Sequence, residues 1–265
     1  MEIVQLTFRS RRSGNQEAAF DRLESYLAAL QQNGQILGDS PTAKVRGGYL
    51  VVVGVPCVEA LNVRHGNKWV RRTAARLLDG GVRLPSVRVL GHEPETPNPC
   101  RCRRRPSLIL FTNFLSDESP VRCDACFRPV PLFMLPLMGD ARNYSDILSW
   151  QSAYQAVDTL WIGSGPGEHF AHRQMSDVRS PLSRDGREVA EQIEKKTRRP
   201  VYYYLMKHYG ISDPRERHRR CPSCNGAWIL SQPLHGIFDF RCDRCRLLSN
   251  VAFDVRYPPA WSSAE

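Results

Sequence analysis

The stretch Arg220-Cys221-Pro-Ser-Cys224-Asn225-Gly226, separated by the seventeen residues that follow Cys224 from Cys242-Asp-Arg-Cys245-Arg246, decides how the C-terminal part of the chain folds. Zinc takes four ligands tetrahedrally, and thiolates are among its favoured donors. A C-x-x-C turn aims two sulfurs at one ion, and its backbone amides can donate to the thiolates. Pro222 and Gly226 suit so tight a turn. Between the pairs, Trp228-Ile229-Leu230 and Ile237-Phe238-Asp239-Phe240 read as strands, with Pro233 and His235-Gly236 in the turn that joins them. The expectation is a zinc ribbon, a hairpin with one metal at its base held by Cys221, Cys224, Cys242 and Cys245. Two redox pairs, or fortuitous cysteines, are the competing readings.

A second quartet lies upstream. Cys100-Arg-Cys102 is followed, after twenty residues, by Cys123-Asp-Ala-Cys126. C-x-C is less usual than C-x-x-C but still supplies two ligands, and Leu108 to Asn113 sits where a ribbon strand should. The alternatives are a site with one other ligand, such as His92, or a redox switch using Cys100 and Cys102. An iron–sulfur cluster also takes four thiolates, but well-separated pairs around a hairpin favour zinc. The sequence therefore predicts two zinc ions, each fully ligated. Such sites are structural, with no open position for chemistry. Of nine cysteines only Cys57 is left over, and it reads as a buried, inert thiol.

Outward from the cysteines, Ile3 to Phe8 reads as a strand. Ala19 to Leu30 is an amphipathic helix, with Phe20, Leu23, Leu27 and Leu30 on one face. Tyr49 to Val55 is an apolar strand. Asn67 to Asp79 is a second helix, with Val70, Ala74, Leu77 and Leu78 inward and Gly80-Gly81 as its stop, and Ser86 to Leu90 a third strand. This order fits an α/β sandwich, with a ferredoxin-like arrangement as the nearest pattern. A proline-rich break spans 92 to 99. From about 145 to 212 the pattern is helical, with Ser145 and Ser183 as expected caps and Pro200 as a stop; Val201 to Met206 is a strand or short helix, and Asp213 to Arg220 a charged linker. The fold class is α+β. Its expected segments are 1–92 (α/β domain), 98–130 (first zinc module), 140–212 (mainly helical) and 216–256 (zinc ribbon).

The chain has 265 residues, 42% of them hydrophobic, enough for a packed core. Its longest apolar run, Leu50 to Val58, is interrupted by Gly54 and Pro56, so no membrane span is expected. Met1-Glu2-Ile3-Val4 does not open a secretory signal, and a cytoplasmic location is expected, where thiols stay reduced and metal is favoured over disulfides. Formal net charge is +10; two zinc–thiolate sites lower it to about +6. A basic surface favours nucleic acid or another acidic partner. Arg101, Arg103, Arg104, Arg105, Arg122 and Arg128 flank the first quartet, and Arg215, Arg217, Arg219, Arg220, Arg241, Arg244 and Arg246 flank the second. Guanidinium forks on a rigid knuckle suit phosphate contact. The candidates are Arg103, Arg104, Arg105, Arg217, Arg219, Arg220, Arg244 and Arg246; otherwise they simply offset thiolate charge. Tyr202, Tyr203 and Tyr204 offer a stacking platform for bases, set against burial of at least one or two of them. The basic face of the second helix (Lys68, Arg71, Arg72, Arg76) reads as solvated. Gly163-Ser-Gly-Pro-Gly167 lacks the Gly-Lys-Ser/Thr ending of a phosphate loop and reads as a tight turn. His169, His172, Asp177 and His208 lack a nucleophile beside them, and no active site is assigned.

The runs Asp158-Thr-Leu-Trp-Ile-Gly-Ser-Gly165, Tyr202-Tyr-Tyr-Leu205, Arg220-Cys-Pro-Ser-Cys224 and Pro233 to Asn250 resemble a proteobacterial family of zinc-ribbon proteins of unknown function, described only with a suggestion of nucleic-acid binding. The resemblance implies the ligands Cys221, Cys224, Cys242 and Cys245 and adds no catalytic residue. The functional expectation is a non-enzymatic zinc-binding protein that contacts DNA or RNA. The alternative is a protein-interaction module, of inhibitor or immunity type, whose ribbons dock a partner protein.

Overall fold

Val4, Leu6 and Phe8 are buried at every second position of β1 (Glu2–Arg9), the period that puts them on one face of a sheet. That face is covered by α1 (Gln16–Gln32) through Leu23, Tyr26, Leu27 and Leu30, and by α2 (Lys68–Asp79) through Val70 and Leu77. The side chain of Asn67 starts α2 by accepting the amides of Trp69 (2.9 Å) and Val70 (3.0 Å), a standard N-cap. The expected strand at Tyr49–Val55 is β3 (Gly48–Val55). A strand that the sequence reading missed, β2 (Thr42–Val45), pairs with it in a hairpin. At the turn Gly48 has φ +156°, and a Cβ there would lie 1.8 Å from the Phe8 carbonyl oxygen, so only glycine fits. With β4 (Ser86–His92), the antiparallel sheet runs β2-β3-β1-β4. Leu78 and Phe20, expected inward, are exposed at the rim.

The computed structural model describes residues 1–10, 16–138 and 143–254. They divide into two units: the one just described, Met1–Arg101 with Ser116–Val121 and Arg128–Ser145, and a second made of Cys102–Leu115, Arg122–Phe127 and the residues from Asp146 on.

The second unit is built on a mixed six-stranded sheet. β5 (Leu108–Leu110) and β6 (Val121–Cys123) come from around the first cysteine quartet, β7 (Val201–Leu205) follows the helical region, and β8 (Ile229–Leu234), β9 (Phe238–Cys242) and β10 (Leu247–Ser249) come from the second quartet. The order is β6-β5-β7-β10-β9-β8. β7 pairs in parallel with β5 and with β10, and β10–β9–β8 are antiparallel. Pro233 lies in β8 rather than in the turn. That strand is the sheet edge, where a missing amide costs no ladder bond.

The helices of this unit are α3 (Ser145–Gly163), α4 (Glu168–Ser176), α5 (Pro181–Thr197) and a short α6 (Asp213–Arg217) in place of the expected charged linker. Ser180, not Ser183, caps α5: its oxygen accepts the Ser183 amide (3.1 Å), and Pro181 occupies the first helical position, where no amide is needed. Every residue of β7 is buried. Tyr202, Tyr203 and Tyr204 are thus not a stacking platform, because the strand lies in mid-sheet and its tyrosines are the core. Gly186 of α5 lets Tyr203 and Trp150 approach the helix backbone; a Cβ there would lie 2.3 Å and 2.5 Å from them. Among the described residues no helix is long and apolar enough to cross a membrane.

Candidate metal centres

The fold gathers the cysteines as two tetrads, Cys100–Cys102–Cys123–Cys126 and Cys221–Cys224–Cys242–Cys245, with the four sulfurs of each within 4.8 Å of one another. In every pair the first cysteine is buried and the second half-buried. Cys224 Sγ and Cys242 Sγ lie 3.7 Å apart. A tetrahedron with metal–sulfur bonds of about 2.3 Å has edges of about 3.8 Å, so the spacing fits one ion. His92 stands 3.6 Å from Glu2 and takes no part in the first cluster.

Three of the four pairs share one backbone device. The residue after each C-x-x-C, Phe127 (φ +57°), Asn225 (+57°) or Arg246 (+55°), is left-handed. The Phe127 amide donates to the Cys123 carbonyl (2.7 Å) and the Asn225 amide to the Cys221 carbonyl (2.8 Å). A left-handed residue other than glycine costs about 1–2 kcal/mol. Three such residues in equivalent places mark a geometry imposed by the site. Of the three, only Asn225 announced itself by residue type, since asparagine tolerates this region; the Cys100-Arg-Cys102 pair is too short for the turn. In the absence of an ion, burial pushes the Cys242 thiol up to about 12, while the Gly226 amide pulls Cys224 down to about 7. Loading a metal therefore displaces protons.

Within the second unit the hairpin tip is docked on the Cys123–Cys126 knuckle. His235 Nε2 donates to the Asp124 carbonyl (2.6 Å), and its ring stacks on Phe127, centroids 5.1 Å apart at 22°. Phe127 also meets Phe238 of β9 edge-on. Arg241 Nη1 lies 3.3 Å from the Asp124 carboxylate, which also accepts the Ser107 hydroxyl.

The candidate arginines divide by what already holds them. Arg219 is enclosed: it donates to Ser249 Oγ (3.0 Å) and the Asn250 carbonyl (2.9 Å), pairs with Glu216 at 3.4 Å, and lies over the rings of Trp228 and Phe240. Arg246 is held by Glu194 (3.1 Å) and by the Asp243 carbonyl. Arg217 makes an exposed pair with Asp213 (2.9 Å). Arg241 joins Asp243, Asp124 and Tyr202. Arg105 is half-buried and has a partner, whereas Arg103, Arg104, Arg220 and Arg244 are exposed with no ion pair among the described residues.

In the Gly163–Gly167 segment Gly163 ends α3 and Gly165–Gly167 is a 3-10 turn capped by Ser164, whose hydroxyl accepts the Gly167 amide (3.2 Å). His172 Nε2 accepts the His208 amide at 3.3 Å, and burial lowers its pKa to about 4. The Asp177 carboxylate is taken by the Arg179 amide (2.8 Å). Cys57 is half-buried, and burial raises its pKa.

Three domain families cover nearly the whole chain, each described as a domain of unknown function: DUF8589 over residues 1–91, DUF2310 over 102–206 and DUF8594 over 210–255. An uncharacterised protein of Haemophilus influenzae is 30% identical over 260 residues, spanning 96% of this chain and 99% of the relative. The chain belongs to the family of that protein. A second uncharacterised Haemophilus influenzae protein is 37% identical over 146 residues, covering 55% of this chain and 71% of the relative.

Proposed function

We propose that this is a non-enzymatic, cytoplasmic zinc protein that contacts nucleic acid through arginines held around two structural zinc sites. Zinc is favoured by the donor set. Four thiolates at single-ion spacing leave no open coordination position and no room for a multi-iron cluster. On this reading the β8–β9 hairpin over the second tetrad is a zinc ribbon. The first unit, with β-α-β-β-α-β order, is ferredoxin-like.

The observation that carries the nucleic-acid reading is that Arg103, Arg104, Arg220 and Arg244 are exposed and have no ion pair among the described residues, each within two residues of a tetrad cysteine. A guanidinium on a metal-fixed turn loses little freedom on contact, and its fork matches a phosphate. Changing these four to Ala should lower both the affinity for DNA or RNA and its salt dependence, with metal content unchanged. Wild-type protein that binds no nucleic acid even at low ionic strength overturns the reading and leaves an acidic protein surface as the partner for the same residues.

A further inference from the structure

Beside the second tetrad, and wholly within the second unit, lies an open cleft of about 580 Å³, between α5 and the Cys242–Cys245 knuckle. Arg184 and Arg187, one turn apart on α5, line one side; Arg244 and Arg246 line the other, with Val201 and the buried Tyr203 also in its wall. Three carboxylates line it too, and their pairing decides its character. Glu194 is taken by Arg246 at 3.1 Å, and Glu191 by Lys195 at 2.7 Å. Glu188 alone has no ion-pair partner among the described residues, against three guanidinium groups, Arg184, Arg187 and Arg244, that have none either. The tetrad with its ion adds a charge of roughly −2 on the Cys224 and Cys245 side, so the positive end of the cleft is the α5 side.

We infer that this cleft is the phosphate-binding groove of the protein, taking successive phosphates of a nucleic-acid strand with Arg184 and Arg187 as the primary contacts. The inference rests on the nucleic-acid reading above and adds a place and two residues to it. Phosphate positions the strand and carries no sequence information. With every neighbouring tyrosine buried, no base platform adjoins the cleft, so binding through it is indifferent to base identity.

The test is fluorescence anisotropy of the full-length, metal-loaded protein with a short labelled oligothymidylate, the matching oligouridylate and a duplex, over a range of salt. R184A/R187A is compared with R71A/R72A, which removes the same charge from the exposed face of α2. The expected result is an affinity at least about tenfold weaker for R184A/R187A. Its log–log salt slope should be shallower by about 1.4, two phosphates at about 0.7 each. R71A/R72A should stay close to wild type, and metal content should be equal in all three proteins. Equal losses in both doubles overturn the inference in favour of bulk charge. An unchanged R184A/R187A, with loss confined to Ala variants of Arg103, Arg104, Arg220 and Arg244, overturns the cleft and leaves the nucleic-acid reading standing. No binding by wild-type protein to any probe removes both.

Discussion

His235, at the tip of the β8–β9 hairpin, donates Nε2–H to the carbonyl of Asp124 inside the Cys123–Cys126 knuckle, at 2.6 Å. Residues 111 apart in sequence thereby tie the second tetrad's hairpin to a knuckle of the first tetrad, and Phe127 stacks on the same imidazole. His235→Ala removes a hydrogen bond and a ring contact together. The expected loss is about 1–2 kcal/mol, read as a lower denaturation midpoint with unchanged metal content.

Cys242→Ser should release one metal ion and retain the other. Cys242 ends β9, and β9 shares its sheet with β10, β7 and β5. The damage should therefore spread through the second unit rather than stay in the hairpin. A structural zinc contributes about 10–16 kcal/mol in small peptides, comparable to the whole stability of a domain. The first unit has its own core around Leu6, Phe8, Leu23 and Leu27. Hydrogen exchange should show that core still protected while β7 loses protection.

Gly186→Ala tests the packing of α5. Its Cβ would meet Tyr203 and Trp150 at 2.3 Å and 2.5 Å. Both are large and buried, so neither has room to retreat. Overpacking of this kind costs about 1–3 kcal/mol, measurable by chemical denaturation.

His172 supplies a pH dependence. Burial lowers its pKa from 6.5 to about 4, and Nε2 must stay unprotonated to accept the His208 amide. The unfolded chain thus takes up this proton first as pH falls. The contribution is fully present above about pH 6.5 and lost between there and about pH 4, up to about 3 kcal/mol in all. His172→Gln should flatten that part of the stability profile relative to wild type, and an NMR titration of the His172 ring should find a midpoint well below 6.

Much of this was legible in the residues. Three C-x-x-C pairs and one C-x-C pair named all eight tetrad cysteines, because ligand geometry is local. The periodicity of Leu23, Leu27, Val70 and Leu77 found both helices of the first unit. The hairpin strand Thr42–Val45 was not visible, since its residues are half-buried or exposed and leave no apolar pattern. Burial of one or two of Tyr202 to Tyr204 was expected, but aromatic residues serve cores and stacking surfaces equally well, and only the sheet order shows that all three lie in the centre. The arginines were visible as a set but not as individuals. Arg219 is tied down by Ser249 and Asn250 and Arg246 by Glu194, all distant in sequence, and no sequence spacing reveals that.

On the proposed reading each tetrad holds one zinc ion through four sulfurs. Elemental analysis joined to X-ray absorption at the zinc edge tests it directly. The expected result is close to two zinc ions per chain and a single shell of four sulfurs at about 2.3 Å. Iron in place of zinc, one ion per chain, or nitrogen and oxygen in the first shell would contradict it.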